Sequence, residues 1–200
     1  MKKLILTSNA FVNPKIKQRF LELLDNNPKD TKVIFVTTAA EGEEGSMIYV
    51  KKSEEELIKL GILKENIKWV GNLKNINTEE YDVMYVCGGN TFYLINEIRK
   101  TGFDKKIIDF INRGKLYVGV SAGSVIMGPT IMHAKNFDKN YVELKDLSGF
   151  KVTNKVIAPH HKEDEEELAK KFEKENKCQI LRLPDGQALE IVNSKEKIIN

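Results

Sequence analysis

Short apolar runs alternate along this chain with longer stretches in which apolar residues recur at every third or fourth position. Residues 4–7, 32–37, 67–70, 83–87 and 116–120 are rich in Ile, Val, Leu and Tyr. Their apolarity is continuous rather than alternating, which predicts strands covered on both faces. Residues 14–24, 47–60, 90–100 and 104–112 read as helices. Phe92, Ile95 and Ile98 share one helical face that Gly102 can end, and Ile107, Ile108 and Ile111 line the next helix before Gly114 stops it. Strands alternating with helices imply right-handed crossovers and a mostly parallel sheet in a three-layer α/β/α sandwich. Binding sites in such sheets lie beyond the carboxyl ends of the strands.

The pattern changes in the last third. Residues 130–155 have weak periodicity and read as loops over the sheet. Residues 156–158 form a brief strand that runs into Pro159, His160 and His161, and residues 163–176 read as a charged helix. Residues 179–183 and 188–192, separated by Pro184-Asp185-Gly186, predict a terminal antiparallel hairpin. No repeat or low-complexity segment interrupts the chain, and its 200 residues are expected to form one domain, 1–200, large enough to bury a full core.

Charge narrows the partners. Thirty-two basic residues against 29 acidic ones leave a net +3, and the charges are interspersed rather than gathered into a block, so neither nucleic acid nor a membrane is an expected partner. Cys87 and Cys178 stand too far apart in sequence for a zinc or disulfide pattern and read as free thiols in a reducing compartment. The opening MKKLILTSNAF reads as a first strand, not a signal peptide, and no apolar run approaches the ~20 residues of a spanning helix. A soluble, cytoplasmic protein is expected, acting as a monomer or homodimer.

The chemistry concentrates in residues 116–128, LYVGVSAGSVIMG. An apolar strand drives into Gly119-Val120-Ser121-Ala122-Gly123, the pattern of a nucleophile elbow, in which a serine on a sharp strand-to-helix turn projects its hydroxyl from the sheet edge. Free N–H groups at the start of the following helix suit a developing oxyanion, so Ala122 is a candidate donor. A second donor is expected in Cys87-Gly88-Gly89-Asn90-Thr91-Phe92, where two glycines let the backbone approach a substrate carbonyl; Gly88, Gly89 and Asn90 are the oxyanion and substrate-binding candidates there. This segment lacks the Gly-x-Gly-x-x-Gly and Gly-Lys-Ser/Thr patterns of phosphate-binding loops.

A nucleophilic serine needs a base, and the chain has three histidines, His133, His160 and His161. His160 follows a strand and a proline, at the same kind of strand end as Ser121, whereas His133 lies in the least regular segment. Two aspartates compete to orient the imidazole: Asp185 in the Leu183-Pro184-Asp185-Gly186 turn, and Asp138 in the polar loop between elbow and histidine. The acidic run from Glu163 to Glu167 reads as the solvated start of a helix, where carboxylates favour the dipole, and not as a metal site. No metal or organic cofactor is implied.

GGNTF after one strand, GVSAGS at the elbow, PH after another strand and LPDG near the end together resemble the S51 serine peptidases, the family of peptidase E (aspartyl dipeptidase) and cyanophycinase. The resemblance covers nearly the whole chain. It implies a fold related to class I glutamine amidotransferases, with serine in place of their cysteine, and a triad in the order Ser121, His160, Asp185. That order differs from α/β-hydrolases, in which the acid precedes the histidine. It also implies a serine peptidase that cleaves short peptides through an acyl-enzyme, with an esterase or amidase on the same scaffold, or a silent binding domain, as the alternatives. Two departures stand out. Asp185 occupies a position where the family member best matched in this turn carries glutamate. The helix after the histidine, where aspartyl dipeptidases place an arginine for the acidic side chain, here reads His161-Lys162-Glu163-Asp164-Glu165-Glu166, so a strict preference for N-terminal aspartate is not expected.

Overall fold

The computed structural model describes residues 1–200. In chain order its elements are β1 (Lys3–Thr7), α1 (Pro14–Leu23), β2 (Val33–Val36), α2 (Thr38–Glu41), α3 (Met47–Lys59), β3 (Ile67–Val70), β4 (Val83–Val86), α4 (Thr91–Thr101), α5 (Phe103–Asn112), β5 (Leu116–Val120), α6 (Ala122–Val125), β6 (Val156–Pro159), α7 (Glu166–Asn176), β7 (Ile180–Leu183), β8 (Ala188–Val192) and β9 (Lys195–Ile199). Seven strands make one sheet in the order β3-β2-β4-β5-β1-β8-β9, the first five parallel and the last two antiparallel to their neighbours.

The continuous apolar runs have the consequence expected of them: successive side chains of a strand point to opposite faces, and both faces are covered. Leu4, Leu6, Ile34, Val36, Met84 and Tyr117 pack with Phe92, Ile95 and Ile98 of α4 and Phe103, Ile107 and Phe110 of α5. Ile5, Val33, Phe35, Tyr85 and Val118 pack with Ile16 and Phe20 of α1 and Val50 and Leu57 of α3. Helix, sheet and helix thus form three layers. Helix ends follow local chemistry: the Asn13 side chain caps α1 by accepting from the Lys15 N–H at 2.9 Å, and Gly102 closes α4 in the left-handed conformation, φ 68°.

The hairpin expected around Pro184-Asp185-Gly186 is absent. β7 pairs in parallel with β6 in a separate two-stranded sheet, Val156 opposite Ile180 and Pro159 opposite Leu183. β8 instead lies antiparallel to β1 and forms its hairpin with β9, a strand the sequence reading did not include. The physical reason is burial. Val156, Ala158 and Ile180 form a small core with Ala169 and Phe172 of α7, whereas β8 buries its side chains in the main sheet. The proline-aspartate-glycine turn therefore carries the chain between two sheets. Residues 130–155 are irregular, as expected, apart from a 3-10 turn at Met132–Asn136 and one bridge between Thr130 and Ser148. No helix is long and apolar enough to cross a membrane.

Candidate active site

Four loops that follow strands of the two sheets carry the candidate residues: Gly88 after β4, Ser121 after β5, His160 after β6 and Asp185 after β7. The elbow forms as its glycines dictate. A Cβ on Gly119 would lie 2.5 Å from the Gly123 carbonyl oxygen, and one on Gly123 would lie 2.3 Å from that of Val86, so only hydrogen fits at either place. Between them Ser121 is held at φ 48°, ψ −108°, a conformation that costs on the order of 1–3 kcal/mol and that the surrounding packing must impose. Its N–H donates to the Thr7 carbonyl at 3.0 Å, and the buried Ser124 hydroxyl reaches the same carbonyl and that of Gly119, both at 2.8 Å. The helix that follows is a single turn, Ala122–Val125.

Gly88 faces the serine: a Cβ there would sit 3.1 Å from the Ser121 Cβ and 3.8 Å from its Oγ. Gly89, at φ 133°, passes so close to α2 that a Cβ would lie 2.3 Å from the Ala39 carbonyl oxygen. Neither the Gly88 nor the Gly89 N–H finds a backbone acceptor. Asn90 is fully engaged within the loop. Its N–H donates to Ala39, its Oδ1 accepts from the Tyr93 N–H at 2.9 Å, and its Nδ2 donates to the Lys139 carbonyl at 2.9 Å. It shapes the segment that presents the two glycines.

His160 and Asp185 meet directly. The imidazole Nδ1 lies 2.7 Å from Asp185 Oδ1, which leaves Nε2 on the far side of the ring without a partner in the chain. His160 also adopts a left-handed backbone, φ 57°. Burial alone would raise the pKa of Asp185, but hydrogen bonds from Ser8, His160 and Asn9 and the nearby imidazole charge outweigh it and hold the carboxyl below its ordinary value. Asp138 has a different employment: its Oδ2 accepts the Thr91 N–H at 2.8 Å and so caps α4, while burial pushes its carboxyl above the ordinary value. Of the two rival acids, the geometry brings Asp185 to the histidine.

The other histidines are occupied elsewhere. His133 is buried, packed edge-on against Phe137 and Phe172, and burial lowers its pKa. His161 Nε2 lies 3.2 Å from Glu166. Cys87 is buried, and burial pushes its thiol up.

Two residues escaped the sequence reading. Ser8, after β1, accepts the His160 backbone N–H and donates to the Asp185 carboxylate. Arg182, on β7, lines a polar cavity of about 380 Å³ with His161, Lys162, Glu163, Glu166 and Pro184. Only strand alternation on β7 could have signalled Arg182. Its Nε and Nη2 donate to Glu166 at 3.0 and 3.1 Å, its Nη1 and Nη2 to Glu173 at 2.7 and 2.8 Å, and Nη1 also to the Ile180 carbonyl at 3.0 Å. A guanidinium has five N–H groups, and all five are used.

An open α/β sheet with a strained serine on an elbow, a histidine paired to a carboxylate and free backbone amides opposite defines a serine-type hydrolase of the class I glutamine amidotransferase-like fold. The profile of peptidase family S51 matches residues 4–199, and the chain belongs to that family of serine-type peptidases. The uncharacterized peptidase Lmo0363 of Listeria monocytogenes is 34% identical over 99% of this chain and 98% of its own length. Peptidase E of Salmonella typhi is 30% identical over 74% of this chain and 67% of its own. A crystal structure from Listeria monocytogenes EGD-e assigned to peptidase E superposes over 100% of this chain and 98% of its own, with a TM-score of 0.81 and 29% identity.

Proposed function

We propose that the protein cleaves short peptides near their N-termini through a Ser121-His160-Asp185 triad. The observation that carries this reading is the 2.7 Å contact between His160 Nδ1 and Asp185 Oδ1. With Nδ1–H given to the carboxylate, Nε2 is the basic nitrogen, which is the tautomer a serine nucleophile needs. Ser121 and His160 are anchored to adjacent residues of one strand end: the Ser121 N–H donates to Thr7, and the His160 N–H donates to the Ser8 hydroxyl.

In this reading Ser121 Oγ attacks the scissile carbonyl and its proton passes to His160 Nε2. The carbonyl oxygen becomes an oxyanion held by the N–H groups of Gly89 and Ala122, with Gly88 leaving room beside the serine. As the tetrahedral species collapses, the C–N bond breaks and the leaving amine takes the proton from Nε2. Water then attacks the acyl ester, again giving a proton to Nε2, and as the C–Oγ bond breaks that proton passes to Oγ, restoring Ser121 as the acid product leaves. Asp185 fixes the ring and stabilises the imidazolium.

The polar cavity lined by His161, Lys162 and Arg182 gives no ground for a strict preference for an acidic first residue, since Lys162 is the one cation of its lining that is not tied up by Glu166 and Glu173. The Arg182 guanidinium is spent on Glu166 and Glu173 and offers no free N–H to a carboxylate. A dipeptide and tripeptide library read by mass spectrometry tests the reading. Release of N-terminal residues or dipeptides is the expected result; turnover of simple esters with no peptide cleaved would assign an esterase to the same scaffold.

A further inference from the structure

Ser8 is fully buried, and its hydroxyl bonds both the backbone of His160 and the carboxylate of Asp185. Its Oγ donates to Asp185 Oδ1 at 2.8 Å, accepts the backbone N–H of His160 at 2.7 Å, and lies 3.4 Å from His160 Nδ1. The two clear bonds use the hydroxyl's single donor and one of its two acceptor lone pairs. Each has a consequence. The bond to Asp185 satisfies one lone pair of the oxygen that also receives the imidazole, so the carboxylate cannot rotate away without losing two partners. The bond from the His160 N–H fixes a residue whose backbone stands in the left-handed region, φ 57°, which a non-glycine side chain does not hold unaided. The rest of the β1–α1 loop ties down the same turn. The Ser8 N–H donates to the Gln187 carbonyl at 3.3 Å, Asn9 Nδ2 reaches Asp185 Oδ2 at 3.4 Å, and Asn13 Nδ2 donates to the Gly186 carbonyl at 2.8 Å. His160 and Asp185 follow the two strands of the small sheet, whereas Ser8 follows the interior strand β1 of the main sheet. Asp185 is also more than half exposed, with 55% of its side-chain surface open, so burial does little to hold it in place.

We propose that Ser8 is a positioning residue of the reaction, the single group that locks the backbone of His160 and the carboxylate of Asp185 into one arrangement and references both to the strand that anchors Ser121. This rests on the triad reading above. Ser8 touches no reacting atom; it acts through the acid and the histidine. Its removal therefore lowers kcat while leaving substrate binding in place.

The test compares Ser8→Ala, Ser8→Cys and Ser8→Thr on a cleaved dipeptide, with melting temperature followed for each. Ser8→Ala is expected to lose about 10- to 100-fold in kcat, the usual cost of removing an outer partner that orients a functional histidine, with KM changed less than about threefold. Ser8→Cys, similar in shape but a weak hydrogen-bonding group, falls likewise, and Ser8→Thr, which keeps the hydroxyl, recovers most of the rate. Should Ser8→Ala fail to fold, the Cys and Thr pair decides. In an Asp185→Asn background Ser8→Ala should add less than about threefold, because residues acting as a unit are not additive. Wild-type kcat in Ser8→Ala or Ser8→Cys, equal losses in Cys and Thr, or a full additional loss in the Asp185→Asn background would overturn the proposal. Ser121→Ala separates the two claims: if it is inactive while Ser8→Ala is fully active, only the role of Ser8 falls, and if it retains turnover the triad falls and this role with it.

Discussion

Replacing Asp185 with Asn tests which acid serves the histidine, and the structure sets the size of the effect. The variant keeps the shape of the side chain and one acceptor for the Ser8 hydroxyl, but removes the charge 2.7 Å from His160 Nδ1. At 2.7 Å a unit charge pair is worth roughly 1.5 kcal/mol in a water-like medium and roughly 6 kcal/mol at an effective dielectric of 20. The two side chains are 47% and 55% exposed, so solvent screening moves the value toward the lower part of that range, ~2–4 kcal/mol. At 1.4 kcal/mol per decade, kcat should fall by about 30- to 1000-fold, below the loss of about 10⁴ seen when a buried triad aspartate is neutralised. Asp138→Asn is the control. Its carboxylate accepts the Thr91 N–H at 2.8 Å, and asparagine can accept the same bond, so kcat should change by less than about threefold and the melting temperature should hardly move. The assay is kcat and KM on a cleaved dipeptide at neutral pH, with melting curves to confirm folding. A larger loss in Asp138→Asn than in Asp185→Asn would refute the assignment.

Two further outcomes follow from side chains near the site. Because every N–H of Arg182 is already bonded, kcat/KM for peptides beginning with Asp, Asn, Leu and Lys should show no more than about a tenfold advantage for Asp; Glu166→Ala, which frees two of those N–H groups, should raise the relative rate with Asp, and a hundredfold advantage for Asp in the wild type would contradict the reading. His133, whose pKa is lowered by burial, is neutral in the fold but protonates in the unfolded chain as pH falls below its ordinary value of 6.5; its contribution is therefore present above that value and lost as pH falls toward the folded one. The wild type should accordingly lose melting temperature relative to His133→Phe as pH falls below about 6.5, and parallel curves for the two proteins would show that the buried imidazole does not govern this dependence.

The layered sheet was legible because its strands are apolar on consecutive residues, a pattern that only two covered faces explain. The elbow was legible for a steric reason: Gly119 and Gly123 stand where the chain passes within contact distance of itself and of Val86. Asp185 stood out as a candidate because of its turn, and the same turn misled the topology. Proline, aspartate and glycine favour a reversal whether it joins two strands of one sheet or two separate sheets, and the partner of β7 depends on burial under α7, which no local pattern encodes. Ser8 gave no signal of its own. A serine after a strand is ordinary, and its importance comes from where β1 ends relative to two loops that lie more than 150 residues further along the chain. Arg182 was hidden in the same way, since the stretch after His160 holds no arginine and the guanidinium enters from the neighbouring strand.

The central claim, that Ser121 is the nucleophile, is tested most directly by a fluorophosphonate that forms a stable bond only with an activated serine. Mass spectrometry of the digested protein should find one adduct, on the peptide carrying Ser121, and Ser121→Ala should fold with an unchanged melting temperature while losing both the adduct and turnover. An adduct on any other serine, or peptide cleavage that persists in Ser121→Ala, would contradict the account.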